Sequence, residues 1–364
     1  MAKKIFIAAT QQNDGKTTVS LGLIAALKKH FAKIGFIKPI GQRYLMEQGY
    51  KVDEDSVLIE EVFGIPCNIK DMSPVAIEKG FTERFIEKGA DEDYAKLILD
   101  SYDHVAKDND LVIIEGTGHA GVGSVFDLSN AVVAKLLDAN VILISSGGVG
   151  KPIDEVMLNK ALLDKEKVTL AGVVVNKILP EKYNRIAPLA KKGLEKKDVN
   201  VIGLLPYQKI LDIPTIREIK EELKLDALYA GVSLDVEAET VLIGAMNVKD
   251  ALAFIKDKSL MIIPGDRDDM IETVCKVNAG KLKKNVRISG VIISGGIMPR
   301  KKSLSRLEKA RIPSLITKDD TYSIASRVHS MVVKLKPQDT KKIKIIVDMV
   351  DKYVDIDKVL SNLK

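Results

Sequence analysis

Thr10-Gln11-Gln12-Asn13-Asp14-Gly15-Lys16-Thr17-Thr18 follows the apolar run Ile5-Phe6-Ile7-Ala8-Ala9 and opens a helical pattern that continues from Val19 to Leu27. A strand that delivers a tight loop, backbone N–H groups turned inward, a helix N-terminus facing an anion and a lysine that reaches the outer phosphates together make a phosphate-binding P-loop. Lys16 and Thr17 hold the matching places, Thr17 to offer its hydroxyl to a magnesium ion and Gly15 to let the backbone come close. Thr10 stands where the general pattern G-x-x-x-x-G-K-[ST] has its first glycine, so the nucleotide reading needs support from the rest of the chain.

The 364 residues are enough for two domains, or three if a terminal segment stands apart. A content of 46% hydrophobic and 29% charged residues is ordinary for a globular protein. The first ten residues already read as a strand, which leaves no room for a signal peptide, and no apolar run approaches the roughly 20 residues that span a bilayer. A cytoplasmic protein without a membrane partner is therefore expected. Cys67 and Cys275 have no histidine or cysteine companions at ligand spacing, so neither a disulfide framework nor a zinc site is suggested, and small buried side chains are expected. The formal charge of +6 raises the question of nucleic acid. Its two basic clusters, Lys281-Leu282-Lys283-Lys284 and Arg300-Lys301-Lys302, carry no interleaved aromatic residue to stack on a base, and a solvated surface is expected instead.

Working outward from the P-loop, apolar runs at Ile5–Ala9, Ile34–Lys38, Leu111–Glu115, Val141–Ser145, Leu170–Asn176 and Val201–Leu205 alternate with helical patterns. That alternation predicts an α/β fold with a doubly wound, mainly parallel sheet, whose functional residues collect on loops after the strands. After Pro206 the texture changes to a smaller set of runs at Thr240–Gly244, Leu260–Ile263, Val291–Ser294 and Ser314–Ile316. The expected division is 1–214 for the nucleotide domain, 215–335 for a second α/β domain, and 336–364 for a helical tail, Asp339–Lys352 and Ile356–Leu363.

Glu115 ends an apolar strand beside Gly116-Thr117-Gly118, which suits a magnesium ligand or a water-orienting group, though a glutamate there can also cap the next turn. Asp53 and Asp55 open the helical segment Ser56–Phe63, as helix-dipole acids or, for Asp55, as a metal ligand. Lys38 closes the second strand in Phe36-Ile37-Lys38-Pro39-Ile40-Gly41-Gln42, where a cation can hold a phosphate, carboxylate or carbamate, or simply snorkel. Asn176-Lys177 closes the fifth strand, where P-loop proteins often read the base. The position two residues after that lysine is Leu179, not the aspartate of a guanine reader, which favours adenine. His119 can meet a phosphate or stand exposed.

Taken together, Thr10-x-x-x-x-Gly15-Lys16-Thr17, Lys38-Pro39, the Asp55 segment, Glu115-Gly116-Thr117-Gly118, Asn176 and Ile202-Gly203-Leu204-Leu205-Pro206 resemble dethiobiotin synthetase. They resemble still more the N-terminal domain of long bacterial phosphate acetyltransferases, with which Lys38-Pro39-Ile40-x-Gln42 agrees. The resemblance implies ATP and Mg2+ as cofactors, with Thr10, Asn13, Asp14, Gly15, Lys16, Thr17, Thr18, Asn176 and Pro206 around the nucleotide. It makes Thr17, Asp55 and Glu115 the metal ligands and gives Lys16 and Lys38 the catalytic contacts. It also implies a homodimer and phosphoryl activation of a small carboxylate or carbamate. The chain departs from the synthetase at Gln11 and Asn13, where that enzyme has acids, and at Gln12 and Gln42, where it has small hydroxyl residues for a diamine. A site built for one polar ligand rejects another because buried groups go unpaired, so the diamine is not carried over.

Three later segments resemble the DRTGG domain: Pro264-Gly265-Asp266-Arg267-Asp268-Asp269, Val291–Ser294 with Gly295-Gly296-Ile297-Met298-Pro299, and Lys318-Asp319-Asp320-Thr321-Tyr322 before Ile324–Val328. That domain follows the same P-loop domain in the long phosphate acetyltransferases, and its implied role is regulatory. Asp266-Arg267 and Asp319-Asp320-Thr321 can bind a small ligand or another subunit, or cap helices and pair with each other. Because the chain stops at Lys364, acetyl transfer to phosphate is not expected of it. Two functions follow: an ATP-dependent enzyme acting on a small molecule, or a nucleotide-responsive regulator with little or no turnover. Partition-type ATPases usually carry an extra lysine early in the loop, and none lies between Thr10 and Gly15. A glutamine-hydrolysing synthase would need a nucleophilic cysteine at a strand-to-helix elbow, whereas Cys275 lies in the helical run Met270–Val277.

Overall fold

A computed structural model describes residues 2–229, 231–282 and 286–364; Lys283 and Lys284 of the first basic cluster lie outside the described residues. The chain forms two compact units, Met1–Gln208 with Leu335–Lys364, and Lys209–Lys334.

In the first unit, six parallel strands are ordered Val201–Pro206, Leu170–Ile178, Val141–Ser146, Lys3–Ala9, Leu111–Glu115, Ile34–Ile37. Each strand reads as a continuous apolar run because helices cover both faces of the sheet. The first strand of the chain lies at the centre, with Phe6 opposite Val141 on one side and Ile114 on the other. The strand order reverses there, which opens a crevice at the carboxyl ends of the strands, where the P-loop begins.

The P-loop helix, Lys16–Leu27, buries Val19, Leu21, Leu23, Ile24, Ala26 and Leu27. A helix that is apolar all round needs cover on the side away from the sheet as well. The closing segment, which the sequence set apart as a tail at 336–364, supplies that cover and belongs to the first unit. Its helix Thr340–Tyr353 buries Ile346, Met349 and Val350. A Cβ added to Gly22 would lie 2.2 Å from Val350 Cγ2, so glycine permits the close approach. Val354 then bridges antiparallel to Gly203, and the backbones of Lys4 and Lys364 exchange hydrogen bonds. Gly22→Leu is expected to lower stability by on the order of 2 kcal/mol by forcing these helices apart. A denaturant midpoint unchanged from wild type would contradict that packing.

A hairpin that the sequence pattern did not announce, Tyr44–Glu47 against Tyr50–Asp53, turns through Gln48 and Gly49, both with positive φ. It delivers Asp53 to the mouth of the crevice, where the residue caps the helix Glu54–Phe63 and accepts from the Asp55 N–H at 3.0 Å.

The second unit has a sheet ordered Asp226–Tyr229, Ser314–Ile316, Ile288–Ser294, Ser259–Pro264, Thr240–Ile243, parallel except for the first strand. Met261, Ile263, Val291 and Ile293 face the core shared with the helix Asp268–Asn278, while Leu260, Ile262, Ile292 and Leu315 face the core with Ile216–Leu223 and Thr321–Ser330. Alternate residues of each strand therefore serve opposite faces. Among the described residues, no helix is long and apolar enough to cross a membrane.

Candidate functional site

The loop after the first strand is held closed by its own side chains. Thr10 Oγ1 donates to Asp14 Oδ2 at 2.8 Å, and the Gln11 N–H donates to the same oxygen at 2.8 Å. That pair does locally what a first glycine would otherwise allow, since Thr10 does not require a left-handed backbone here. Burial pushes the Asp14 carboxyl up, while the Thr10 and Gln11 bonds pull it back toward ionisation. Asn13 and Gly15 do take positive φ, 64° and 95°. At Gly15 a Cβ would lie 2.3 Å from Asn176 Nδ2, which donates to the Asp14 carbonyl at 2.8 Å. Lys177 Nζ donates to the Asn13 carbonyl at 2.9 Å.

Asn176, read from sequence as an adenine contact, thus spends its amide on the backbone: Nδ2 on Asp14 and Oδ1 as acceptor from the Lys177 N–H at 2.8 Å. It braces the P-loop from the strand Leu170–Ile178, which lies beyond Val141–Ser146 in the sheet. Thr18 lies half-buried in the first turn of the helix, and Pro206 ends its strand half-buried, paired in register with Ile178.

Lys16, Thr17, Lys38, Asp53, Asp55 and Glu115 meet at the mouth of the loop. Thr17 Oγ1 donates to Glu115 Oε1 at 3.0 Å. Lys38 Nζ lies 2.9 Å from Asp53 Oδ1, in direct contact with Asp55 Oδ2, and 4.0 Å from Glu115 Oε1. Burial alone would push the Lys38 ammonium down; Asp55, Asp53 and Glu115 outweigh it, and the group stays charged. For Lys16 the balance is reversed: burial lowers the ammonium, with Glu115 as its chief stabilising charge.

Glu115 is fully buried; among the described residues its Oε2 and Ser20 Oγ of the P-loop helix make no hydrogen bond of ordinary geometry, although the Ser20 hydroxyl is near enough to favour the charged carboxylate. Burial first and Asp55 second push its carboxyl up to about 7, against the pull of Lys38. An ordinary glutamate titrates at 4.5. The folded chain therefore holds the extra proton between these values, and stability falls as pH rises from about 4.5 to about 7. Glu115→Gln is expected to flatten that part of the profile and to be more stable than wild type at pH 8. Denaturant unfolding at pH 5, 7 and 8 checks this, and a slope equal to that of wild type would contradict it.

These residues suit a magnesium ion that arrives with phosphates. Among the described residues, no three acids form a closed cage for a metal. Mg2+ needs none, since it is commonly held by one or two carboxylates, a hydroxyl, water and substrate phosphates. The Glu115 carboxylate, with the Thr17 hydroxyl on its Oε1, offers such a partial set.

Sequence reading missed several supports. Asn130 accepts from the Thr117 N–H at 3.1 Å and donates to the Thr117 and His119 carbonyls at 2.8 and 2.7 Å, fixing the turn after Glu115. His119 itself is exposed and accepts from the Gly121 N–H at 3.2 Å. Gln11 reaches Glu155 at 2.6 Å, whereas Gln12 and Gln42 are exposed. Only Asn130 had a local signal, Ser129-Asn130 at a helix start.

The motif segments of the second unit follow the carboxyl ends of its strands and are engaged with each other. The Arg267 guanidinium donates to Asp269 at 2.8 and 2.9 Å and to the carbonyls of Gly244 and Met246, each at 3.0 Å. Asp320 caps its helix through the Tyr322 and Ser323 N–H groups, and Asp319 pairs with Arg327. A Cβ on Gly265 would lie 1.8 Å from the Ile297 carbonyl oxygen, so the two loops meet backbone to backbone.

A family model described as an AAA domain matches residues 3–215, and one described as a DRTGG domain matches residues 218–331. The phosphate acetyltransferase of Nitratidesulfovibrio vulgaris is 26% identical over 375 residues, covering 100% of this chain and 52% of that protein. The phosphate acetyltransferase of Synechocystis is 25% identical over 372 residues, again covering 100% and 52%. A probable cobyric acid synthase of Methanosphaera stadtmanae is 26% identical over 342 residues, 81% of this chain and 65% of that protein. The chain spans about half the length of the phosphate acetyltransferases it matches. Among solved structures, the MinC:MinD cell division complex of Aquifex aeolicus is similar at a TM-score of 0.37 and 17% identity, covering 58% of this chain and 84% of that one. The CBS and DRTGG domains of a Clostridium perfringens pyrophosphatase are similar at a TM-score of 0.29 and 15% identity, covering 50% and 88%. With its P-loop at the switch point of a parallel sheet and its match over residues 3–215, the chain belongs to the AAA-domain family AAA_26 of dethiobiotin-synthetase-like P-loop proteins, joined here to a DRTGG domain.

Proposed function

We propose that the first unit binds ATP with magnesium at the P-loop and uses it to activate a small carboxylate or carbamate by phosphoryl transfer. The convergence of Lys16, Thr17, Lys38, Asp55 and Glu115 on one crevice supports this reading most directly. The backbone N–H groups of the loop and the start of the helix would receive the phosphates, with Lys16 reaching the outer ones. Thr17, Glu115 and Asp55 would hold the magnesium ion, which supplies charge neutralisation on the transferring group. Lys38, tethered by Asp53, would then be drawn toward the phosphates and the acceptor's anionic end where they meet. Leu179, where a guanine reader has an acid, supports adenine.

A second reading is favoured by the exposed Gln12 and Gln42 and by the pairing of Gln11 with Glu155, which leave no evident polar seat for an acceptor. In that reading nucleotide occupancy governs the DRTGG domain, with slow or no turnover. Phosphate release from MgATP, measured alone and with panels of small carboxylic acids and amines under bicarbonate, separates the two. Release stimulated by an acceptor supports the enzyme, binding without release supports the regulator, and absence of binding contradicts both. A cytoplasmic homodimer is part of the proposal, and sedimentation of the purified chain tests its oligomeric state.

A further inference from the structure

The Lys38 ammonium lies on the two carboxylates that a metal ion would need. Its Nζ contacts Asp55 Oδ2 and stands 4.0 Å from Glu115 Oε1, the oxygen that also accepts from Thr17 Oγ1 at 3.0 Å. The side chain is 9% exposed, so solvent does little to screen its charge. Its third partner, Asp53 Oδ1 at 2.9 Å, also caps the helix Glu54–Phe63 by accepting from the Asp55 N–H.

From this juxtaposition we infer that Lys38 is a built-in cation that occupies the metal's place in the nucleotide-free protein and excludes divalent ions until a nucleotide brings one in. The inference rests on the reading that Asp55 and Glu115 serve the metal. A divalent ion arriving alone would have to break the Lys38–Asp55 pair and then sit beside the displaced ammonium at short range in a poorly screened site. A metal arriving with a triphosphate brings the compensation with it. The phosphate oxygens complete its shell and also offer Lys38 a new anionic partner, while Asp53 stays behind as the tether. Lys38 then passes from Asp55 toward the phosphates as the metal takes Asp55, so metal entry and placement of the catalytic lysine become one event. Lys38 is thus a positioning group before it is a catalytic one, and metal loading depends on nucleotide.

The test uses the intact chain and Mn2+ as the probe, followed by water-proton relaxation without nucleotide. Wild type is expected to bind Mn2+ weakly, and Lys38→Gln at least about tenfold more tightly, since the acids are left without their resident cation. Asp55→Asn added to Lys38→Gln is expected to return the affinity to the wild-type level, whereas the same change of charge at the exposed Asp164, on the helix Lys151–Lys165, is not. Lys38→Met, which keeps the apolar stem, serves if Lys38→Gln does not fold. Equal Mn2+ affinity in wild type and either variant overturns the inference, as does tightening that survives Asp55→Asn. Titrating wild type with ATP in the same experiment keeps the two readings apart: nucleotide binding with no effect of Lys38 on Mn2+ sinks this inference alone.

Discussion

Lys16→Ala is expected to weaken MgATP binding roughly 100-fold or more while leaving the fold intact. A charge-assisted contact to phosphate in a partly buried site is worth about 3 kcal/mol, which corresponds to that factor. The fold should not suffer, because Lys16 forms no ion pair or side-chain hydrogen bond that holds the described residues together, and burial already disfavours its charge. Calorimetric titration gives the affinity and thermal unfolding gives the control. A variant with unchanged MgATP affinity would remove Lys16 from the site.

Gly15→Ala is expected to act through the backbone instead. Its φ of 95° is strained for any L side chain, and the new Cβ would drive into Asn176 Nδ2 at 2.3 Å. Relief requires Asn176 to give up its 2.8 Å bond to the Asp14 carbonyl, which loosens the loop that Thr10 and Asp14 close. Strain and one lost buried hydrogen bond together amount to on the order of 3 kcal/mol of stability. Nucleotide binding should fall with the loop's geometry, again by roughly 100-fold. Gly49→Ala is the matching control: φ is 86°, but nothing lies within 4 Å of its Cβ, so only the backbone cost of about 1–2 kcal/mol applies. Equal losses in the two variants would mean that the Asn176 brace does not matter.

The sequence revealed the parts of this protein whose physics is local. Five apolar residues followed by a Gly-Lys-Thr turn fix a strand, a loop and a helix within a few residues, and the parallel strands are apolar runs because helices cover both their faces. Glu115 was legible for the same reason, as an acid that abruptly ends a buried strand. What stayed hidden depends on partners far away in the chain. Asp53 reads as an ordinary helix cap, and only the hairpin Tyr44–Asp53 brings it to Lys38. That hairpin mixes exposed tyrosines with charges and lacks the clean alternation of a half-buried strand pair. Asn176 was read from the sequence as an adenine contact; its bond to the Asp14 carbonyl, far away in the chain, had no signal there. The helix Thr340–Tyr353 was predicted as a helix; its place could not be read, because the signal is a glycine, Gly22, on the helix it covers. In the second unit, the short edge strand Asp226–Tyr229 is only half-buried and carries one charge in its run, too little pattern to stand out.

The proposed ATP site of the first unit is assembled from Lys16, Thr17, Asp55 and Glu115. Calorimetric titration of the intact chain with MgATP, beside MgGTP, tests it most directly. Saturable binding of MgATP, with no heat from MgGTP at the same concentrations, is the predicted result; a chain that binds neither nucleotide would contradict it.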